Sequence, residues 1–320
     1  MVAILKKDFP CMNDKKIATV ISPFLLLCTA GIWGFAFVAQ SVASELGAFT
    51  VVAVRNCFAA IFLLLIIPLL DKFSANGRKL FGKSKTPPFT KKELVGGILV
   101  GCALSVAATL QQQGMNSGTD AGKSAFISAL YVVAVPVFSL FLKKRSPINV
   151  WISVIIATIG FYLLCVDKGF AVVPSDLLIF LSACGYAVHI MIISYFSPDC
   201  DGARLSAVQF ITTTVITSAL ALIFDSPISF SLIGENILPL LYLGVASSGI
   251  AYTLQIIGQK HTRPAAASLI LSLESVFGAL ASALALGTFL SLREYIGGAI
   301  VFLSVVLSQL NFKSKSPKYK

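Results

Sequence analysis

Apolar residues in this chain gather into runs of about twenty, the length at which a helix crosses a bilayer, and the polar breaks between them are short. Ten runs stand out: Ile17 to Val42, Phe49 to Leu70, Leu94 to Met115, Ala121 to Leu142, Asn149 to Val166, Leu177 to Tyr195, Leu205 to Phe224, Ile237 to Gln259, Pro264 to Leu286 and Tyr295 to Leu310. Hydrocarbon offers the backbone no hydrogen-bond partner, so each run must bond within itself as a helix. The weakly alternating ten-residue segments of a membrane β-barrel are absent. The pattern therefore predicts an all-α membrane protein of ten transmembrane helices.

The runs repeat. A shift of 144 positions aligns Leu110-Gln111-Gln112-Gln113-Gly114 with Leu254-Gln255-Ile256-Ile257-Gly258, and then Ala121, Ser124 and Ser128 with Ala265, Ser268 and Ser272. A shift of 153 aligns Thr29 to Trp33 with Ser182 to Tyr186, the difference arising from the longer basic loop after the second run. Residues 17–166 and 175–310 thus read as two copies of one five-helix unit. Five is odd, so the second copy enters the membrane from the opposite face, and the predicted architecture is a pair of inverted-topology repeats.

Composition agrees with a lipid solvent, since 57% of residues are hydrophobic and 12% charged, against roughly a quarter charged in soluble domains. The net charge of +11 lies in loops and tails rather than on one surface, which excludes a nucleic-acid partner. Basic residues concentrate in one set of segments: the N-terminal lysines, the loop from Lys72 to Lys92, Lys143-Lys144-Arg145, Arg204, Lys260 with Arg263, and the C-terminal lysines. The opposite set holds Lys123, Lys168 and Arg293. The positive-inside bias then puts both termini in the cytoplasm. The N-terminal lysines before an apolar run imitate a secretory signal, but the run from Ile17 to Val42 is too long for one. Seven cysteines are scattered, mostly inside the runs, without a C-x-x-C pair or metal-ligand spacing and read as small buried apolar residues. No cofactor is expected.

Candidate chemistry sits on shared helix faces, where residues at i, i+4 and i+7 align. Thr29 and Trp33 share such a face in the first span, and Ser182, Tyr186 and His189 share its counterpart in the sixth. Ser124, Ser128 and Tyr131 in the fourth match Ser268, Ser272 and Ser275 in the ninth; Ser248, Tyr252 and Gln255 come from the eighth, Gln111 and Gln112 from the third. Converging, these faces line a polar cavity between the halves. Serines alone equally make packing seams, whereas Gln, His and Tyr are costly against lipid and face protein or water. Glu274 is the one acid deep within a span and the candidate for coupling to a proton; its phase lies off the serine stripe, so it reads equally as a carboxyl bonded to a neighbouring helix. Arg55, one to two turns into the second span, either snorkels outward or attracts an anionic group. The stretch Gly118 to Ser124 imitates a phosphate-binding loop but has one residue too few between its glycines and follows a helix. No H-E-x-x-H or G-x-S-x-G motif is present, and two histidines leave little material for metal catalysis, so the chain is not expected to be an enzyme.

Several of these residues fall in an ordered set: Trp33-Gly34 with Phe37, Arg55, Leu110-Gln111 through Gly114, Ala121 to Phe126, Tyr131-Val132-Val133 leading to Pro136, and Leu273 to Phe277. The set resembles the EamA family of the drug/metabolite transporter superfamily over nearly the whole chain. Departures occur at helix ends, where Leu142-Lys143-Lys144 and Leu286-Gly287-Thr288 replace the family's Leu-Gly-Glu. The resemblance implies a secondary transporter of the plasma membrane. It further implies export, or less often uptake, of amino acids or related small polar metabolites through a central cavity by alternating access, without ATP hydrolysis. The expected partners are a small-molecule substrate, the lipid bilayer, a coupling proton and a second copy of the chain. The alternative is a polytopic sensor or scaffold without transport.

Overall fold

In the computed structural model the described residues are 14–73, 89–119, 121–141, 146–165, 173–287 and 290–310. Lys6, Lys7, Lys79, Lys83, Lys85, Lys143, Lys144, Arg145, Lys168 and the C-terminal lysines, which carry much of the charge argument for orientation, lie outside them. The helices follow the apolar runs: α1 (Asp14–Val42), α2 (Ala48–Phe73), α3 (Lys91–Asn116), α5 (Ile148–Cys165), α6 (Pro174–Phe196), α7 (Gly202–Phe224) and α10 (Leu292–Gln309). Three are interrupted. Helix α4 consists of Ala121–Ala129 and Tyr131–Phe141, and α9 of Pro264–Leu271 and Glu274–Leu286. Helix α8 runs from Ile237–Leu241 through a π-wound stretch, Tyr242–Tyr252, into Thr253–Gln259. Among the described residues nine helices are long and apolar enough to cross a membrane, and Ile148–Leu164 is a shorter apolar helix.

Polar side chains are set at the helix starts the runs imply. Thr90 accepts a hydrogen bond from the Glu93 N–H while the Glu93 carboxylate accepts from the Thr90 N–H, a reciprocal cap on α3. Ser291 and Glu294 cap α10 in the same way. Asp201 accepts from the backbone N–H groups of Ala203 and Arg204 at the start of α7. The burial pattern is that of a lipid-solvated protein. Leu65, Phe141 and Leu284 are exposed, whereas Gln112, Gln209, His189 and Thr213 are fully buried. Of the described cysteines with assigned exposure, Cys200 is buried but Cys102 lies on the outer surface, so the reading of cysteines as buried apolar residues does not hold there.

The main neighbour relations are kept when the first five helices are exchanged for the last five. Helices α5 and α10, α2 and α7, and α4 and α9 pair with their own counterparts; α3 against α6 is matched by α8 against α1, and α3 against α7 by α8 against α2. Individual contacts repeat as well. Thr29 Oγ1 donates to the Ala251 carbonyl at 3.1 Å, and Ser182 Oγ donates to the Ala107 carbonyl at 2.7 Å, pairs related by the same shifts of 153 and 144. A Cβ built on Gly114 would lie 3.1 Å from the Ser175 carbonyl, and one on Gly258 would lie 3.0 Å from the Ser22 carbonyl. The repeated glycines are thus close helix crossings in both halves.

Helices α2 and α7 are clasped at each end by an acid from the partner's far terminus. Asp71, near the end of α2, meets Arg204 in the first turn of α7 at 2.6 Å. Asp225, just past α7, accepts from the N–H and hydroxyl of Thr50 at 2.7 and 2.9 Å in the first turn of α2. Asp225 therefore acts as an N-cap supplied by another helix. Asp225→Ala is expected to lower stability by about 1 kcal/mol, as cap removal does, and Asp225→Asn by less, because its amide oxygen still accepts. Thermal unfolding of the purified protein checks this ordering.

Candidate functional site

Between the two sets of five helices lies a cavity of about 480 Å³, open mouth included. Helices α1, α2, α3 and α4 of the first five and α6, α8 and α9 of the last five contribute its lining. Nine of the eighteen residues singled out in the sequence line it: Trp33, Arg55, Gln111, Tyr131 and Tyr186, with His189, Tyr252, Gln255 and Glu274. Thr29, Ser124, Ser182, Ser268 and Ser275 do not, and neither do four more. Ser128 lies behind the wall and accepts from Gln111 Nε2 at 2.8 Å. Gln112 turns to the Asn116 side-chain oxygen at 2.9 Å. Ser272 donates to the Leu269 carbonyl of its own helix at 2.8 Å, and Ser248 is buried in α8. Residues the sequence reading passed over also reach the cavity, Gln40 and Ser247 among them. Gln40 had a legible signal, for it stands seven residues after Trp33 on the same helix face.

Aromatic rings form one flank. The Trp33 and Tyr252 ring centroids are 4.6 Å apart and tilted by 56°, and His189 and Phe210 each meet Tyr252 edge-on at 5.6 Å. The π winding of α8 matters for this flank. Its carbonyls serve partners on α1: Trp33 Nε1 donates to the Ser247 carbonyl at 3.0 Å and Thr29 to that of Ala251 at 3.1 Å. A π-wound turn at such a place is a common mark of a functional site.

A hydrogen-bonded chain crosses the cavity wall. The Tyr186 hydroxyl donates to Gln111 Oε1 at 3.1 Å, and Gln111 passes the chain on to Ser128. Deeper in, His189 Nε2 meets Gln209 Oε1 at 3.3 Å. Arg55 does not snorkel outward; it is 4% exposed and donates through Nη1 to Gln40 Oε1 at 3.2 Å. Glu274, 6% exposed, opens the second piece of α9 and faces the cavity beside Tyr131. Its phase against the serine stripe misleads because the stripe itself does not face the cavity: Ser268 and Ser272 donate to carbonyls of their own helix. Arg55 Nε, the Tyr131 hydroxyl, His189 Nδ1 and Gln255 Oε1 are buried without a hydrogen-bond partner of good geometry. Buried polar atoms are normally bonded; of eleven such atoms among the described residues these four belong to one cavity, where they have bonds to offer a ligand. Among the described residues no three His, Cys, Asp or Glu side chains gather in a metal-binding group.

The EamA-like transporter family model matches residues 20–166 and 173–310. An "Uncharacterized transporter" from Archaeoglobus fulgidus is 29% identical over 225 residues, covering 70% of this chain and 71% of that one. A protein of known crystal structure is similar in fold with a TM-score of 0.69 at 16% identity, over 90% of this chain and 96% of that one.

Proposed function

The chain belongs to the EamA-like transporter family, and from that premise we propose that it is a secondary transporter that exports amino acids or related small polar metabolites across the plasma membrane by alternating access. The observation that carries this reading is the polar and aromatic cavity enclosed between two pseudo-symmetric sets of helices. Three of its walls, α4, α8 and α9, are interrupted or unevenly wound, and broken helices at a repeat interface are the usual setting of a transporter's binding site.

Inverted halves are supported by the direction of α1 and α6. The segment after α1 meets the end of α3 through Asn116 and the Leu46 carbonyl at 2.7 Å, and the start of α6 meets the same end through Thr119 and Ser175 at 2.8 Å. Equivalent helices therefore run in opposite senses, as ten spans with both termini in the cytoplasm require. In this scheme Trp33, Tyr186, Tyr131, Tyr252, Gln111 and Gln255 line the route, and Glu274 is the carboxyl that a driving proton would occupy.

Purified protein in liposomes, loaded in turn with a panel of amino acids and metabolites, is expected to exchange at least one of them for labelled substrate outside. Absence of substrate-dependent flux under every imposed gradient would overturn the transporter reading.

A further inference from the structure

Two ionisable side chains of opposite kind, a guanidinium and a carboxyl, stand on this cavity, and neither has an ion-pair partner among the described residues. Arg55 and Glu274 are the Lys, Arg, Asp or Glu side chains among its lining residues, and each is at least nine-tenths buried. The ion pairs found among the described residues are Lys92–Asp199, Lys123–Asp176, and Arg204 with Asp71 and Asp201; neither cavity charge takes part in one. Tyr186 and Tyr252 stand within electrostatic reach of both. Burying a charge without a partner costs several kcal/mol, and inside a membrane such groups pair or serve a ligand. Arg55 donates to the neutral Gln40 oxygen and lies within hydrogen-bonding reach of the Tyr186 hydroxyl, both neutral partners, while its Nε is buried without a bond of good geometry. Glu274 has the Tyr131 hydroxyl beside it, a group without a well-formed bond of its own.

Building on the transporter reading, we propose that the cavity selects zwitterions, with Arg55 held by Gln40 receiving the carboxylate and Glu274 beside Tyr131 receiving the ammonium. A purely anionic ligand answers Arg55 and leaves Glu274 uncompensated; a purely cationic ligand does the reverse. A molecule carrying both groups answers both at once, and the polar and aromatic wall formed by Tyr186, Trp33 and Tyr252 accommodates what joins them. Within the class already proposed, selection thus falls on molecules that present one amino and one carboxyl group to these two side chains. Either α- or ω-amino acids fit this description.

The test varies ligand and protein together. Thermal stabilisation of the full chain, purified in detergent, is measured with the proteinogenic amino acids and γ-aminobutyrate. Each is set beside the amine left when its carboxyl is removed and the acid left when its amino group is removed. At least one zwitterion is expected to stabilise the wild type at millimolar concentration, and its amine and acid to fail. Arg55→Gln should weaken that zwitterion roughly thirtyfold or more, as loss of a buried charge partner does, and the variant should bind the amine as well as the zwitterion. Glu274→Gln should weaken it similarly and bind the acid as well as the zwitterion. A merely structural role for either charge would lower stability without this exchange of preference. The proposal is overturned if no zwitterion stabilises the wild type, if the amine or acid does so equally well, or if either variant that folds keeps the wild-type preference. Should a variant not fold, the wild-type comparison decides alone. Flux of uncharged metabolites only would overturn zwitterion selection and leave transport intact. Zwitterion binding without flux would overturn transport and leave the two subsites standing.

Discussion

Gly297→Val is expected to yield little folded protein, whereas Gly31→Ala, a glycine substitution in another transmembrane helix, is expected to be harmless. Helices α5 and α10 cross at Gly160 and Gly297. A Cβ at Gly297 would lie 2.5 Å from the Leu164 nitrogen and 2.7 Å from the Gly160 carbonyl; one at Gly160 would lie 2.9 Å from the Gly297 carbonyl and the Val301 nitrogen. These are backbone atoms, so no rotamer change relieves the clash, and two whole helices must separate. Small residues at such crossings supply much of the association energy in lipid, where no hydrophobic force drives helices together. The cost should reach or exceed the upper end of ordinary overpacking, about 3 kcal/mol. Around Gly31 a Cβ meets nothing within 4 Å, and replacing a mid-helix glycine by alanine favours the helix by roughly 0.5–1 kcal/mol. Fluorescence-detected size-exclusion chromatography over a temperature series compares the two. Equal melting behaviour would mean that the α5–α10 contact does not hold the bundle.

Trp33→Ala is expected to reduce substrate flux roughly thirtyfold, the scale of a buried aromatic anchor, while Trp33→Phe retains most of it. The alanine variant removes both contacts of the indole, the ring against Tyr252 and the N–H to the Ser247 carbonyl. Phenylalanine keeps a ring and gives up the hydrogen bond alone, a loss of about 1 kcal/mol. If the two variants fall together, the bond to the π-wound carbonyl dominates and the ring is secondary. Exchange in liposomes, with the melting temperature as a check on folding, separates these outcomes.

Helix positions were legible in the sequence because lipid leaves the backbone one solution, and the caps at Thr90, Asp201 and Ser291 mark starts that hydropathy alone blurs. The repeat was legible at the level of single contacts, since the aligned Thr29 and Ser182 make the same bond in each half. Cavity residues with large polar side chains were legible for an energetic reason: Gln111, Tyr186 and Gln255 have no favourable place against hydrocarbon. Small hydroxyls were not. Ser128 and Ser272 satisfy themselves within or between helices, and nothing in their spacing separates that from a ligand contact. Glu274 and Gln40 mark two further limits. The first lies off a serine stripe that does not itself line the cavity, and the second extends a face that polar spacing already outlined around Trp33.

The eleven residues from Tyr242 to Tyr252 that wind with wider turns set the facing of everything beyond them. Tyr252 and Gln255 look into the cavity through accumulated rotation as much as through their chemistry. Removing a single residue from that stretch, with no cavity side chain altered, would turn both by about 100° relative to α1, the angular step of an ordinary helix. In this bundle the length of one segment is therefore itself a determinant of specificity, and relatives with every lining residue in common but a tighter α8 would present a different wall to what they carry.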